Sequence, residues 1–260
     1  MKNAKTALVT GSTSGIGLAI AEKLASQGTN LVINGLLEQA QGDALAQSLS
    51  EKYQVEVLFD PANLAHPEQI ESMFTRAAET FSGIDILVNN AGIQHTAPIE
   101  QFDNAKYQAI IAVNLSSVFY AMKAALPHMQ QQSWGRIINI ASVHGLVASL
   151  NKSAYVAAKH GVVGMTKVAA LENANNGITA NAICPGWVET PLIQQQIDDI
   201  ASAQKLSFEQ AKGQLISAKQ PRAEMANPAH IGDLVLFLVS DAAQGMTGTS
   251  LPIDGAWTAQ

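Results

Sequence analysis

Seven short apolar runs, each separated from the next by a stretch long enough for a helix, constrain this chain more than any other feature. They are TALVT, NLVIN, VEVLF, IDILVNN, RIINIAS, ITANAIC and TSLPID. Most stay apolar through consecutive residues, which predicts strands buried on both faces rather than on one. Strands of that kind, joined by helix-length connections, make a parallel sheet with right-handed crossovers and helices on both sides. The expected fold class is therefore α/β, a doubly wound parallel sheet. With 260 residues and 47% hydrophobic content the chain can bury one large core, and no repeat or low-complexity tract divides residues 1–260, so a single domain is expected. One stretch departs from the rhythm. Residues Thr190 to Pro228 are Gln-rich, helical in period and inserted between the sixth strand and the final helix. Ligands of such sheets bind outside the carboxyl ends of the strands. The segment at about 190–228 is thus expected to be a helical lid over that edge.

Composition removes several classes of function. A formal charge of -6 without any Lys/Arg cluster argues against a nucleic-acid partner. The one cysteine, Cys184, permits no internal disulfide, suits a reducing compartment, and reads as a core thiol within NAICPG. The amino end enters a strand at once, with neither a signal-peptide apolar region nor the ~20 apolar residues of a membrane span. A cytoplasmic protein without membrane attachment is expected. No His, Cys, Asp or Glu set has metal-ligand spacing, so no metal is expected either.

The first strand runs into TGSTSGIG, where Gly11, Gly15 and Gly17 follow a G-x-x-x-G-x-G spacing. Such glycines allow a tight turn, close approach of a pyrophosphate to the backbone, and close packing of the next helix, whose amino end offers free N–H groups. A dinucleotide is the expected ligand. Between Lys23 and Lys52 there is no Lys or Arg, so a 2'-phosphate beside Leu36 would meet no cation, and NAD is favoured over NADP. A carboxylate for the ribose hydroxyl is not obvious at Asn34, Gly35, Leu36 and Leu37.

Tyr155 and Lys159 lie four apart in an Ala-rich helical stretch, on one face. A tyrosine of pKa ~10 is a poor base. An ammonium about 4 Å away, at an effective dielectric of about 20, would favour tyrosinate by up to ~4 kcal/mol, or roughly 3 pKa units. Ser142, at the end of the fifth strand, could hold an alcohol oxygen while its proton leaves and a hydride passes to nicotinamide.

TGSTSGIG, NNAG at Asn89 to Gly92, Asn114 in VNLSS, Ser142, YVAAK and PGWVET at Pro185 to Thr190 together resemble the short-chain dehydrogenase/reductase family, in order and over nearly the whole chain. The resemblance implies a Rossmann-like domain, usually assembled as a homotetramer. It implies a catalytic tetrad of Asn114, Ser142, Tyr155 and Lys159, with Tyr155 as acid/base, Lys159 also on the nicotinamide ribose, and Asn114 anchoring a relay water through a distorted helix. Cofactor contacts would come from Gly11, Thr13, Gly15, Ile16 and Gly17, then Leu36, Asn63 and Leu64, and finally Asn90, Val188 and Thr190. Two residues depart from the family pattern. Asn63 stands where an Asp is common, and Ala256 where a glycine is common before a tryptophan.

On the substrate side the chain is similar to members of the family that oxidise (R)-3-hydroxybutyrate to acetoacetate. By that resemblance Gln94, His144, Lys152 and Gln196 bind the carboxylate of a small anionic hydroxy acid, while Trp187 and Trp257 shape the pocket around its methyl group. Gln194, Gln195 and Gln196 are consecutive, so helix register decides which faces inward. Lys152 also carries a physical argument, because a cation at a helix amino end is disfavoured by ~0.3 to 1 kcal/mol unless an anion is near. Two other readings stand beside this one: another short-chain enzyme, either a dehydrogenase of a related small hydroxy acid or a 3-oxoacyl carrier-protein reductase, and an inactive NAD-binding sensor or scaffold.

Overall fold

The computed structural model describes residues 4–259. All seven apolar runs form strands, β1 (Thr6–Val9), β2 (Asn30–Asn34), β3 (Val57–Asp60), β4 (Ile86–Asn89), β5 (Gly135–Ile140), β6 (Ile178–Pro185) and β7 (Ser250–Ile253). They make one parallel sheet in the order β3-β2-β1-β4-β5-β6-β7. Side chains alternate across it. Leu8, Val32, Leu87 and Ile137 face one core, and Ala7, Val9, Leu31, Ile33, Val88 and Ile138 face the other. A sheet with two apolar faces needs helices on each. The first core is covered by α3 (Pro67–Phe81), α5 (Ser117–Gln132) and α6 (Ser153–Asn173), the second by α1 (Gly15–Ala25), α2 (Gln39–Tyr53) and α9 (Pro228–Val239).

The order reverses between β1 and β4, the switch point at which such sheets open a crevice at their carboxyl ends. A helix α4 (Asn104–Ile111) continues through a π-helical turn, Ala112–Ser116, into α5. The combined run, Asn104–Gln132, is long and apolar enough by length and composition to cross a membrane. Here it lies against the sheet, with Val118, Ala121, Met122, Ala125 and Met129 in the core.

The Gln-rich insertion folds as α7 (Pro191–Gln204) and α8 (Phe208–Ser217). Thr190 caps α7, and a capping box between Ser207 and Gln210 starts α8. Its two ends are laced together by a parallel bridge between Val188 and Ala226, with the Ala226 N–H donating to Trp187 O at 2.9 Å. The insertion therefore leaves and rejoins the sheet at one point, beside the crevice.

Candidate active site

A cavity of about 480 Å³ opens at the carboxyl ends of the central strands. Its first half is built from backbone. Gly11 and Gly15 have φ of +60° and +56°, in the left-handed region that glycine enters without strain. A Cβ at Gly17 would sit 2.2 Å from Gly11 O, so α1 can lie this close to the turn only with glycine there. Ser14, at the cap of α1, makes no side-chain bond to the first turn, and Thr13, Gly15 and Ile16 line the cavity beside it. Two asparagines brace this turn. The Asn90 amide donates to Thr10 O and Gly11 O at 2.9 and 3.0 Å, and Asn34 accepts from Gly11 N at 3.2 Å while donating to Asp60 O and Ala62 O.

Leu36, 75% exposed, lines the far end with Asn63 and Leu64. Asn63 Oδ1 accepts from Ala65 N at 3.0 Å, so its side chain shapes its own turn. Among the described residues the only charged side chains lining the cavity are Lys152 and Lys159, both in the other half, and no Asp or Glu lines it. These residues fit a dinucleotide: glycine-lined backbone where phosphates would lie and an apolar, uncharged rim where a 2'-hydroxyl would lie. Val188 and Thr190 line the opposite wall, with the Thr190 hydroxyl capping α7 through Ile193 N at 3.4 Å.

Ser142, Tyr155 and Lys159 meet where β5 ends against α6. The Lys159 ammonium is buried, donates to Ile140 O at 2.8 Å and stands 5.6 Å from the Tyr155 ring centroid. Burial lowers its pKa to about 8, against a smaller opposite pull from Cys184. Burial raises the Tyr155 pKa above 10, with the Ser142 hydroxyl pulling the other way. That direction is opposite to the expected favouring of tyrosinate by the Lys159 ammonium. Burial disfavours the charged phenolate more than the Ser142 hydrogen bond favours it, and the Lys159 ammonium directs a proton at the Ile140 carbonyl. The Cys184 thiol, pushed up to about 11 by burial, is inert at neutral pH.

Asn114 lies in the π-helical turn, 1% exposed. Its Oδ1 accepts from Ile93 N and its Nδ2 donates to Ile93 O, both at 2.8 Å, so it clamps the loop carrying Ile93 and Gln94. It does not itself line the cavity.

The second half of the cavity is built from side chains. Trp187 and Trp257 have ring centroids 5.4 Å apart, and both lie in an apolar cluster with Val143 and Ile216. His144 packs edge-on against Trp257 at 5.5 Å and Tyr155 at 5.8 Å. Its Nδ1 is 3.3 Å from Ser142 Oγ and its Nε2 is 2.9 Å from Ser149 Oγ. Burial, then Lys152 and Lys219, lower its pKa to about 4, so the imidazole is neutral at pH 7. A ligand carboxylate reaches a ring nitrogen only by displacing one of those serines. Lys152 lines the cavity with its ammonium 5.5 Å from the Trp187 ring centroid, and its pKa is lowered by burial and then by Lys219. Gln94 lines the cavity, but Gln196 does not. On α7, Ile193 lines the cavity and Ile197 is buried, and Gln196, three residues after Ile193, is half-buried beside that stripe.

Residues 11–258 match the family model described as enoyl-(acyl carrier protein) reductase. The chain belongs to the short-chain dehydrogenase/reductase family. It is 52% identical over 261 residues to a D-beta-hydroxybutyrate dehydrogenase of Cupriavidus necator, covering all of both chains. It is 47% identical over 256 residues to a D-beta-hydroxybutyrate dehydrogenase of Rhizobium meliloti, covering 98% of this chain and 99% of that one. Among solved structures, an actinorhodin polyketide ketoreductase with NADPH superposes with a TM-score of 0.92 at 31% identity, covering 100% of this chain and 99% of that one.

For a member of the short-chain dehydrogenase/reductase family, several residues of this site escaped the sequence reading. Asn34 was passed over because it sits where a ribose acceptor is sought, yet both ends of its amide are used inside the fold. Ser149 is an ordinary loop serine until His144 is seen beside it. Asp254 opens the terminal stretch DGAWTAQ with no role of its own assigned, but its carboxylate orders the turn that delivers Trp257. No signal short of three-dimensional contact marks the last two.

Proposed function

We propose that this chain catalyses the reversible NAD-dependent oxidation of (R)-3-hydroxybutyrate to acetoacetate. The observation that carries the reading is Lys152, a charged side chain in the substrate half of the cavity, three residues before Tyr155 and beside Trp187. A half-buried ammonium with no carboxylate among the described lining residues favours an anionic ligand. The names of the two curated relatives support the same acid.

Bound NAD would accept the hydride from the carbinol carbon. Ser142 holds the substrate oxygen, Tyr155 takes the hydroxyl proton as its phenolate, which the neighbouring Lys159 ammonium favours, and returns it as the phenol in the reverse reduction, and Lys152 with Gln94 orients the carboxylate. His144, neutral and hydrogen-bonded on both ring nitrogens, steadies Ser142 and offers a nitrogen to the acid when Ser149 gives way. Trp187 and Trp257 bound the methyl end. The uncharged rim at Leu36 supports NAD rather than NADP, and α7 with α8 act as a lid hinged at the Val188–Ala226 bridge. Exposed Phe119 on α5, with Val168 and Leu171 on α6, supports assembly into a homotetramer, and a single buried cysteine suits a cytoplasmic setting.

The test is NAD reduction at 340 nm with (R)-3-hydroxybutyrate, its (S) isomer and a panel of small hydroxy acids. The (R) acid is expected to give the highest kcat/KM. A higher value for a hydroxy acid of another class, or no activity with any, removes the proposal.

A further inference from the structure

We propose that Asp254 is a positioning residue that sets the size of acid the site accepts, by fixing Trp257 as the end wall of the cavity. The inference rests on the functional reading above and deepens it.

After β7 the chain turns back sharply to bring Trp257, only 7% exposed, against Trp187 and His144. The turn runs through two consecutive left-handed residues, Gly255 at φ +57° and Ala256 at φ +71°. Alanine does not hold that conformation by preference, so something outside the backbone must. The Asp254 carboxylate does so. Its Oδ1 accepts from Ala256 N at 3.0 Å, and its Oδ2 accepts from Thr258 N at 2.9 Å and from the Thr258 hydroxyl at 2.6 Å. These bonds straddle Trp257 on both sides in the chain, which fixes where its ring stops.

The same turn is wedged from two directions. A Cβ at Gly186 would lie 2.9 Å from Asp254 Cα, and Gly186 N donates to Ile253 O, which ties the turn to the residue before Trp187. A Cβ at Gly255 would lie 2.6 Å from the Gln220 side chain, and Arg222 N donates to Gly255 O at 3.1 Å, which ties it to the end of the α7–α8 insertion. Asp254 does not line the cavity, so any effect on substrate passes through Trp257.

Asp254→Asn keeps the shape but turns one acceptor into an amide that faces N–H donors. The measurement is kcat/KM for the four-carbon and five-carbon straight-chain (R)-3-hydroxy acids, with acrylamide quenching of indole fluorescence referred to Trp257→Phe. One methylene against a tight wall is worth at least ~10-fold in discrimination. A loosened wall should therefore raise the five-carbon to four-carbon ratio at least ~5-fold, chiefly through KM, and Trp257 should become more quenchable. An unchanged ratio with unchanged quenching overturns the proposal, even if the melting temperature falls, because that is what a merely structural carboxylate would give. Thr258→Val, which removes only the hydroxyl bond, should shift the ratio in the same direction by less, and it carries the test alone if Asp254→Asn does not fold. Wild-type protein inactive on both acids would sink the functional reading, while the quenching comparison would still report whether Asp254 holds Trp257.

Discussion

The two halves of the cavity solve the same backbone problem in opposite ways. In the cofactor half, the left-handed positions are Gly11 and Gly15, where no side chain is present to object. In the substrate half, they include Asn151 at φ +63°, just before Lys152, and Ala256 at φ +71°, just before Trp257. A left-handed alanine costs about 1 kcal/mol or more, so at Ala256 this half holds a conformation that the residue does not prefer. Neighbouring contacts maintain both positions: Ala97 N donates to Asn151 O at 3.0 Å, and Asp254 holds Ala256. The lesson is that the left-handed turn of the cofactor half is allowed by its own glycines, whereas the turn before Trp257 depends on a carboxylate that holds it in place.

Substitutions can separate the halves. The largest effect is expected where they join. Tyr155→Phe removes the acid/base while leaving both halves intact, so turnover should fall at least ~100-fold with NAD affinity, measured by fluorescence titration, unchanged. More than a tenth of wild-type turnover would remove Tyr155 from the chemistry.

Next comes a change confined to the substrate half. Lys152→Ala should cost about 10- to 150-fold in kcat/KM on (R)-3-hydroxybutyrate, the worth of a charge-assisted bond of roughly 1.5 to 3 kcal/mol. Oxidation of the methyl ester should hardly change. Equal losses on acid and ester would mean that Lys152 supports structure rather than the carboxylate.

A smaller effect belongs to the cofactor half. Steady-state kinetics should favour NAD over NADP by about 10-fold or more, since a 2'-phosphate beside Leu36 finds no cation among the described residues lining that half. Leu36→Arg should narrow that ratio without altering the preference among acids. Parity of the two cofactors in the unaltered protein would refute an uncharged rim.

The smallest tests the comparison itself. Ala256→Gly relieves a left-handed alanine but adds about 0.5 to 1 kcal/mol of unfolded-state entropy, leaving a gain of about 0.5 kcal/mol or less and a melting temperature raised by about 1 to 2 °C. Gly15→Ala, the reverse change in the cofactor half, should lower it, because φ is +56° there and nothing compensates. If both substitutions move the melting point the same way, the two halves do not differ as described.

Period and punctuation in the chain were enough to determine the doubly wound sheet, because strands apolar on both faces admit few other arrangements, and all seven runs became strands. The glycine turn, the Tyr155–Lys159 spacing and the missing cation near Leu36 were likewise legible, each being a property of adjacent residues or of one helix face. What depends on depth or on distant segments was not. Desolvation raises Tyr155 and lowers Lys159, where spacing alone suggested an activating pair, since burial is a property of the packed interior. On α7, Ile193 lines the cavity and Ile197 is buried under the insertion, while Gln196 is half-buried between them in sequence, a placement that three consecutive glutamines could not reveal. Asp254, far from Lys152 in sequence, acquires its place only when β7 docks beside β6 and brings Trp257 to Trp187, because its hydrogen bonds shape a wall to which separate parts of the chain contribute.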